Sequence, residues 1–258
     1  MLVVFIFVFL SFIFLYKFLT AYGEILAKQL ASLGAKLIIS ARNEVELNRV
    51  RTQLKGKHAP DEVKILPLDL SSGEDSLWIA VEKAESFFPD SGVDYMIHNA
   101  AFERPKTSIL DVTEEGLKMS SAAAKAPAPG QAVYSASKYA VNGYFHTLRS
   151  ELCQKGIQVT VICPGPIATS NNAGSRVPSE KRVPSERCAE LTIIAVTHGL
   201  KEAWISYQPV LTVMYLVQYM PTIGYWVMDK IGKSRVEAAE QKGNTYSLSL
   251  MLGKKKAT

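Results

Sequence analysis

Along most of this chain, short apolar runs alternate with stretches whose apolar residues recur three and four positions apart. Residues 37–39, 63–68, 95–98 and 158–163 read as strands, and 23–33, 43–54, 75–88 and 137–154 as helices. In the first helix Ile25, Leu26, Leu30 and Leu33 share a face, and Gly34 closes it; Asn43 has the side chain to cap the second. Strands that alternate with amphipathic helices make βαβ units, so the pattern predicts an α/β fold, a doubly wound parallel sheet with helices on both faces. Residues 102–130, rich in Ala and Pro, read as irregular. Pro164-Gly165-Pro166 breaks the chain sharply after a strand. Residues 171–187 read as a polar flap in which Arg-Val-Pro-Ser-Glu at 176–180 recurs at 182–186, too short for a structural repeat.

The two most apolar stretches fall outside this alternation. Residues 1–16 carry no charge, and with 17–22 they are long enough as a helix to span about 30 Å of hydrocarbon. There is no basic start and no clear small-residue cleavage site, which favours an uncleaved anchor. Lys17 and Lys28 follow the segment, a bias that keeps the body on the cytosolic side. The same β-branched and aromatic residues also suit a buried parallel strand, and periodicity cannot separate the two when every position is apolar; length favours the anchor. The second stretch, from Ala203 to Met228, lacks any charge, is bracketed by Trp204 and Trp226, and is interrupted by Pro209 and Pro221. Those prolines favour a broken helical segment at a membrane surface or packed on the core over a true span. The expected organisation is therefore a hydrophobic segment at 1–22, a Rossmann-like domain at 23–202, and a hydrophobic, membrane-associated extension with a basic tail at 203–258.

Composition narrows the function classes. Apolar residues make up 48% and charged residues 21%, and the net charge is +5, yet no basic stripe is interleaved with aromatics, so nucleic-acid binding is not expected. Cys153, Cys163 and Cys188 lack metal-ligand spacing; no metal centre is expected, and an odd number suits reduced thiols better than a disulfide framework.

The sharpest chemical signal is Tyr134-Ser-Ala-Ser-Lys138. Positions i and i+4 share a helix face, so the phenol and the ammonium project side by side. A tyrosine titrates near 10, and an adjacent cation favours its phenolate, which brings proton transfer toward neutral pH. Ser121, upstream, has a hydroxyl that could hold a substrate oxygen.

Taken together, Ser120-Ser121, Tyr134-Ser-Ala-Ser-Lys138 and Ile162-Cys-Pro-Gly-Pro-Ile167 resemble the active-site half of the short-chain dehydrogenases/reductases, over roughly residues 22–202. The resemblance implies that Tyr134 is the general acid/base, that Lys138 tunes it and orients the cofactor ribose, and that Ser121 positions the carbonyl. It also implies cofactor contacts: Gly23 as the last glycine of the phosphate turn, Asp69 and Leu70 at the adenine, Asn99 and Ala100 beside the cofactor, and Pro164, Ile167 and Thr169 around the nicotinamide. Ser40-Ala41-Arg42 lacks the acid that would accept from a ribose 2′-OH, and Arg42 suits a 2′-phosphate, so NADP(H) is the expected cofactor.

The chain departs from that family twice. Of the glycine-rich turn only Gly23 remains, with Tyr16, Lys17 and Ala21 where threonine and the first two glycines belong. Between Asn99 and Ser121 the family places a long helix and a strand, which need roughly 25–30 residues with their connections; Leu117-Lys118-Met119-Ser120 reads like a join across an excised block, leaving an incomplete central sheet. The expected activity is interconversion of a hydroxyl and a carbonyl on a lipophilic small molecule. The alternative is a non-catalytic, membrane-bound relative with impaired cofactor binding. A homo-oligomer is left open. The expected location is the endoplasmic reticulum membrane with the body in the cytosol, because Lys255 and Lys256 stand four and three places from the end, resembling a dilysine retrieval signal.

Overall fold

A computed structural model describes residues 3–7, 17–70, 72–90, 92–99, 120–127, 131–168 and 182–240, with side chains described only from Tyr22 to Gly232. The chain divides into two compact units, Met1–Glu103 with Thr169–Asn171, and Arg104–Ala168 with Asn172–Thr258.

The first unit is a run of βα repeats: β1 (Val3–Phe7), α1 (Lys17–Ser32), β2 (Lys36–Ala41), α2 (Glu44–Gln53), β3 (Lys64–Pro67), α3 (Glu74–Ser86) and β4 (Tyr95–His98). Its strands pair in parallel in the order β3-β2-β1-β4. Five consecutive residues of β2 are buried, as a strand covered on both faces requires. Ile38, Leu66 and Leu68 pack with Ala80, Ala84 and Phe88 of the α3 region. Asn43 caps α2 as expected, accepting from the Val45 and Glu46 N–H groups at 3.0 and 3.2 Å, and Glu24 of α1 pairs with Arg49 of α2 at 2.8 Å.

Two expectations need correction here. Val3–Phe7 takes the strand alternative: it aligns with Lys36–Ser40 on one side and Tyr95–His98 on the other, and no helix among the described residues is long and apolar enough to cross a membrane. The helix assigned to 23–33 starts earlier, at Lys17; Leu26 and Leu30 are buried, whereas Leu33, just past its last residue Ser32, is 69% exposed.

The second unit contains a 3-10 turn (Ala122–Ala124), α4 (Ala132–Leu152), β5 (Val161–Pro164), β6 (Ile167–Ala168), β7 (Val183–Pro184), α5 (Ser185–Thr197), β8 (Glu202–Ile205), α6 (Val210–Tyr219) and α7 (Pro221–Glu240). β5 pairs with β8 and β6 with β7, each a parallel two-stranded sheet. α4 begins before Tyr134 rather than after it. The polar flap is shorter than expected: Val183–Pro184 is a strand and Ser185 opens α5, while residues 169–181 lie outside the described residues. Pro209 caps α6 and Pro221 opens α7, so each proline marks a helix start.

A doubly wound sheet runs 3-2-1-4-5-6. Among the described residues this one reads 3-2-1-4 and stops, and β5 with β8 forms a sheet of its own. Residues 100–119, which include the interval read as too short for a helix and a strand, lie outside the described residues.

Candidate active site

In the second unit, helical spacing does what the motif requires. Tyr134 and Lys138 lie one turn apart in α4, and Lys138 Nζ sits 5.2 Å from the centroid of the Tyr134 ring. Lys138 is 2% exposed, and this burial lowers its pKa from 10.5 to about 8. It remains mostly an ammonium at neutral pH, yet it gives up its proton far more readily than a surface lysine. Ser121 stands at the head of the 3-10 turn and accepts from the Ala123 N–H at 3.3 Å. That turn packs against α4, and Tyr139 of α4 donates to the Lys125 carbonyl at 3.2 Å.

Polar side chains that the motif does not include hold this frame. Buried Ser120 donates to Asn142 and lies 3.4 Å from Cys163 Sγ. Burial, the largest influence, raises the Cys163 pKa. Glu202 on β8 meets Lys125 at 2.9 Å and His146 of α4 at 2.7 Å, and accepts from the Trp204 indole N–H. Burial alone would raise the Glu202 pKa; these donors outweigh it and lower it. The sequence reading missed Asn142, although helical spacing, four places after Lys138, could have found it. The Glu202 cluster was not, because it joins residues far apart in sequence.

Pro164 ends β5, and Gly165 N–H donates to the Ile205 carbonyl at 2.9 Å. A Cβ at Gly165 would collide with the Ser206 side chain, so the chain passes β8 closely there. Ile167 follows as the first residue of β6, and Ser185 ties that strand down by donating to the Ala168 carbonyl at 2.5 Å.

In the first unit, the expected cofactor residues gather at the carboxyl ends of parallel strands, where ligands bind in such sheets. Arg42 follows β2; Asp69 and Leu70 follow β3 in a turn closed by Ser72, whose hydroxyl donates to the Asp69 carbonyl at 2.6 Å; Asn99 follows β4 and is buried. Leu70 packs on the Ile38–Leu66 cluster. These residues suit the adenosine end of a dinucleotide: an arginine and no acid after β2, and an amide beside β4. Gly23 does not suit the role assigned to it. It is buried in the second turn of α1, away from the helix N-terminus where a phosphate turn belongs. Ala100 and Thr169 lie outside the described residues.

The family model described as short chain dehydrogenase matches residues 20–116 and 115–179. The chain belongs to the short-chain dehydrogenases. The family match is in two blocks that overlap at residues 115–116, just before the join read at Leu117–Ser120. Dehydrogenase/reductase SDR family member 7 of Homo sapiens is 30% identical over 259 aligned positions, covering 83% of this chain and 76% of that protein. Since 83% of 258 residues is about 214, about 45 aligned positions have no residue here. An uncharacterized oxidoreductase of Staphylococcus epidermidis is 24% identical over 68% of this chain and 86% of its own. Among solved structures, acetoin dehydrogenase from Enterobacter cloacae superposes with a TM-score of 0.63 at 18% identity, covering 82% of this chain and 96% of its own. A short-chain dehydrogenase from Sphingobium yanoikuyae in complex with NADPH gives 0.61 at 17%, covering 78% and 87%. The structural likenesses establish the fold; the sequence match establishes an oxidoreductase family.

Proposed function

We propose that this chain is an NADP(H)-dependent oxidoreductase that interconverts a hydroxyl and a carbonyl on a lipophilic small molecule. The observation that carries this reading is the pairing of Tyr134 with a nearly buried Lys138 on one face of α4. In the reductive direction the Tyr134 hydroxyl gives its proton to the substrate oxygen, and the Lys138 ammonium beside the ring stabilises the phenolate left behind. Ser121, released from its cap on Ala123, donates to the same oxygen and orients it. The nicotinamide, when bound, supplies or takes the hydride. Arg42 would hold a 2′-phosphate, Asp69 and Leu70 the adenine, and Asn99 the neighbouring part of the cofactor. The Sphingobium relative's complex with NADPH supports that choice. The lipophilic substrate and membrane association rest on the uncharged run at 203–228.

The decisive measurement is NADPH titration by calorimetry, with turnover of a panel of lipophilic ketones followed at the nicotinamide absorbance. Tyr134→Phe is expected to reduce turnover by about 10²-fold or more while NADPH affinity stays within about twofold. Undiminished turnover in that variant refutes the role.

Two observations favour a second reading, a non-catalytic relative with impaired cofactor binding: Gly23 sits inside α1, and the strand order stops after β4. Absence of NADPH binding at millimolar concentration selects it.

A further inference from the structure

We propose that the outward side of the α6–α7 hairpin is a docking surface for an anionic lipid bilayer. This rests on the membrane reading above and narrows it to one pair of helices and one class of lipid. Val3–Phe7 serves as an inner strand of a sheet, so the membrane contact is placed here at the other end of the sequence.

The hairpin has one well-packed side. Val213 and Val217 of α6 meet Met228 and Ile231 of α7, and Gly224 lies against the Val217 backbone, where any Cβ would clash. Beyond that contact the pair carries apolar side chains that stay largely open: Tyr219, Met220, Ile223 and Trp226 are each between 46% and 70% exposed, while Tyr215 leans on Trp204 and Tyr225 bonds Tyr139 of α4. They fall in a run without a single charge, which an ordinary solvated helix pair does not display. Tyrosine and tryptophan are the residues that settle at the headgroup level of a bilayer, with the ring in the acyl boundary and the polar atom in water. Tyr215 and Tyr219 stack with centroids 5.9 Å apart and lean on Trp204 at 4.8 and 6.2 Å, making an aromatic group of fixed shape.

Charge specifies the partner. Lys230 stands one turn from Trp226, its ammonium 5.7 Å from the ring. From residue 229 onward the chain holds seven Lys/Arg against three Asp/Glu, accounting for four of the five net positive charges. An aromatic face followed by a basic segment complements phosphate headgroups, whose attraction adds to burial of the rings. A second copy of this chain would bring the same basic segment against itself.

The test is flotation of the full chain with vesicles of phosphatidylcholine, with and without phosphatidylserine. The wild type is expected to bind the phosphatidylserine vesicles several-fold better, and Tyr219→Glu/Trp226→Glu to lose about tenfold or more of that binding with an unchanged circular dichroism spectrum. Should the double variant fold poorly, quenching by brominated lipid decides: it is strong in the wild type and falls sharply in Trp226→Phe. Equal binding by wild type and double variant, or no quenching of Trp226, overturns the proposal. So does vesicle-independent self-association abolished by the double variant, which makes a second copy the occupant. NADPH titration of the same samples is independent, so failure of the catalytic reading and failure of this one are distinguishable.

Discussion

The two units use the same kind of strand but are held together by different forces. The first buries a four-stranded parallel sheet under aliphatic side chains, with β2 almost wholly enclosed. The second holds Tyr134 and Lys138 on a helix packed near two-stranded sheets, fastened by buried polar contacts: Ser120 with Asn142 and Cys163, and Glu202 with Lys125, His146 and Trp204. The strand ends beside Arg42, Asp69 and Asn99 rest on apolar packing. The helix that carries Tyr134 and Lys138 rests on hydrogen bonds and charge, whose strength varies with pH.

The comparison breaks first at Ile38. Ile38→Ala is expected to cost the first unit about 2–5 kcal/mol, read as faster amide exchange in β2 and β3; an equal loss of protection in α4 would show that the units do not differ in this way. Next is Lys138. Its folded pKa is depressed to about 8 from 10.5, so the unfolded chain binds the extra proton between those values. Stability therefore rises with pH across that window, and below pH 8 the full cost of burying the charge remains. Lys138→Met should gain up to roughly 3 kcal/mol at pH 7 and lose that slope in urea titrations. Glu202 behaves oppositely. Its folded pKa lies below 4.5, so its contribution is complete above that value and is lost as pH falls through the folded pKa. Glu202→Gln should cost about 2 kcal/mol at neutral pH and reduce the acid sensitivity of the second unit, followed by Trp204 fluorescence. The smallest effect is at the α2 cap: Asn43→Ala should cost about 1 kcal/mol and shorten exchange lifetimes only in the first turn of that helix.

Where a segment had contrast, it could be read. Tyr95–His98, bounded by Asp94 and Asn99, folds as the strand expected, and Asn43 caps the helix that its side chain suits. Tyr134 and Lys138 were legible because one turn of helix fixes their proximity. Val3–Phe7 was not, since an unbroken apolar run fits a strand and an anchor equally, and pairing with Lys36–Ser40 and Tyr95–His98 is a long-range fact. Gly23 was misplaced for a related reason: the motif was aligned on its one surviving glycine, and α1 had already begun at Lys17.

The end of the strand order at β4 has a consequence for the protein's life in a cell. In a doubly wound sheet that strand is interior; among the described residues it is the last of its sheet, with Met96 52% exposed along it and neither proline nor lysine within Tyr95–His98. A terminal strand so lightly guarded recruits other extended chains. The yield of soluble protein should therefore fall steeply with concentration, and chaperone supply rather than catalytic power would set how much of it a cell can keep.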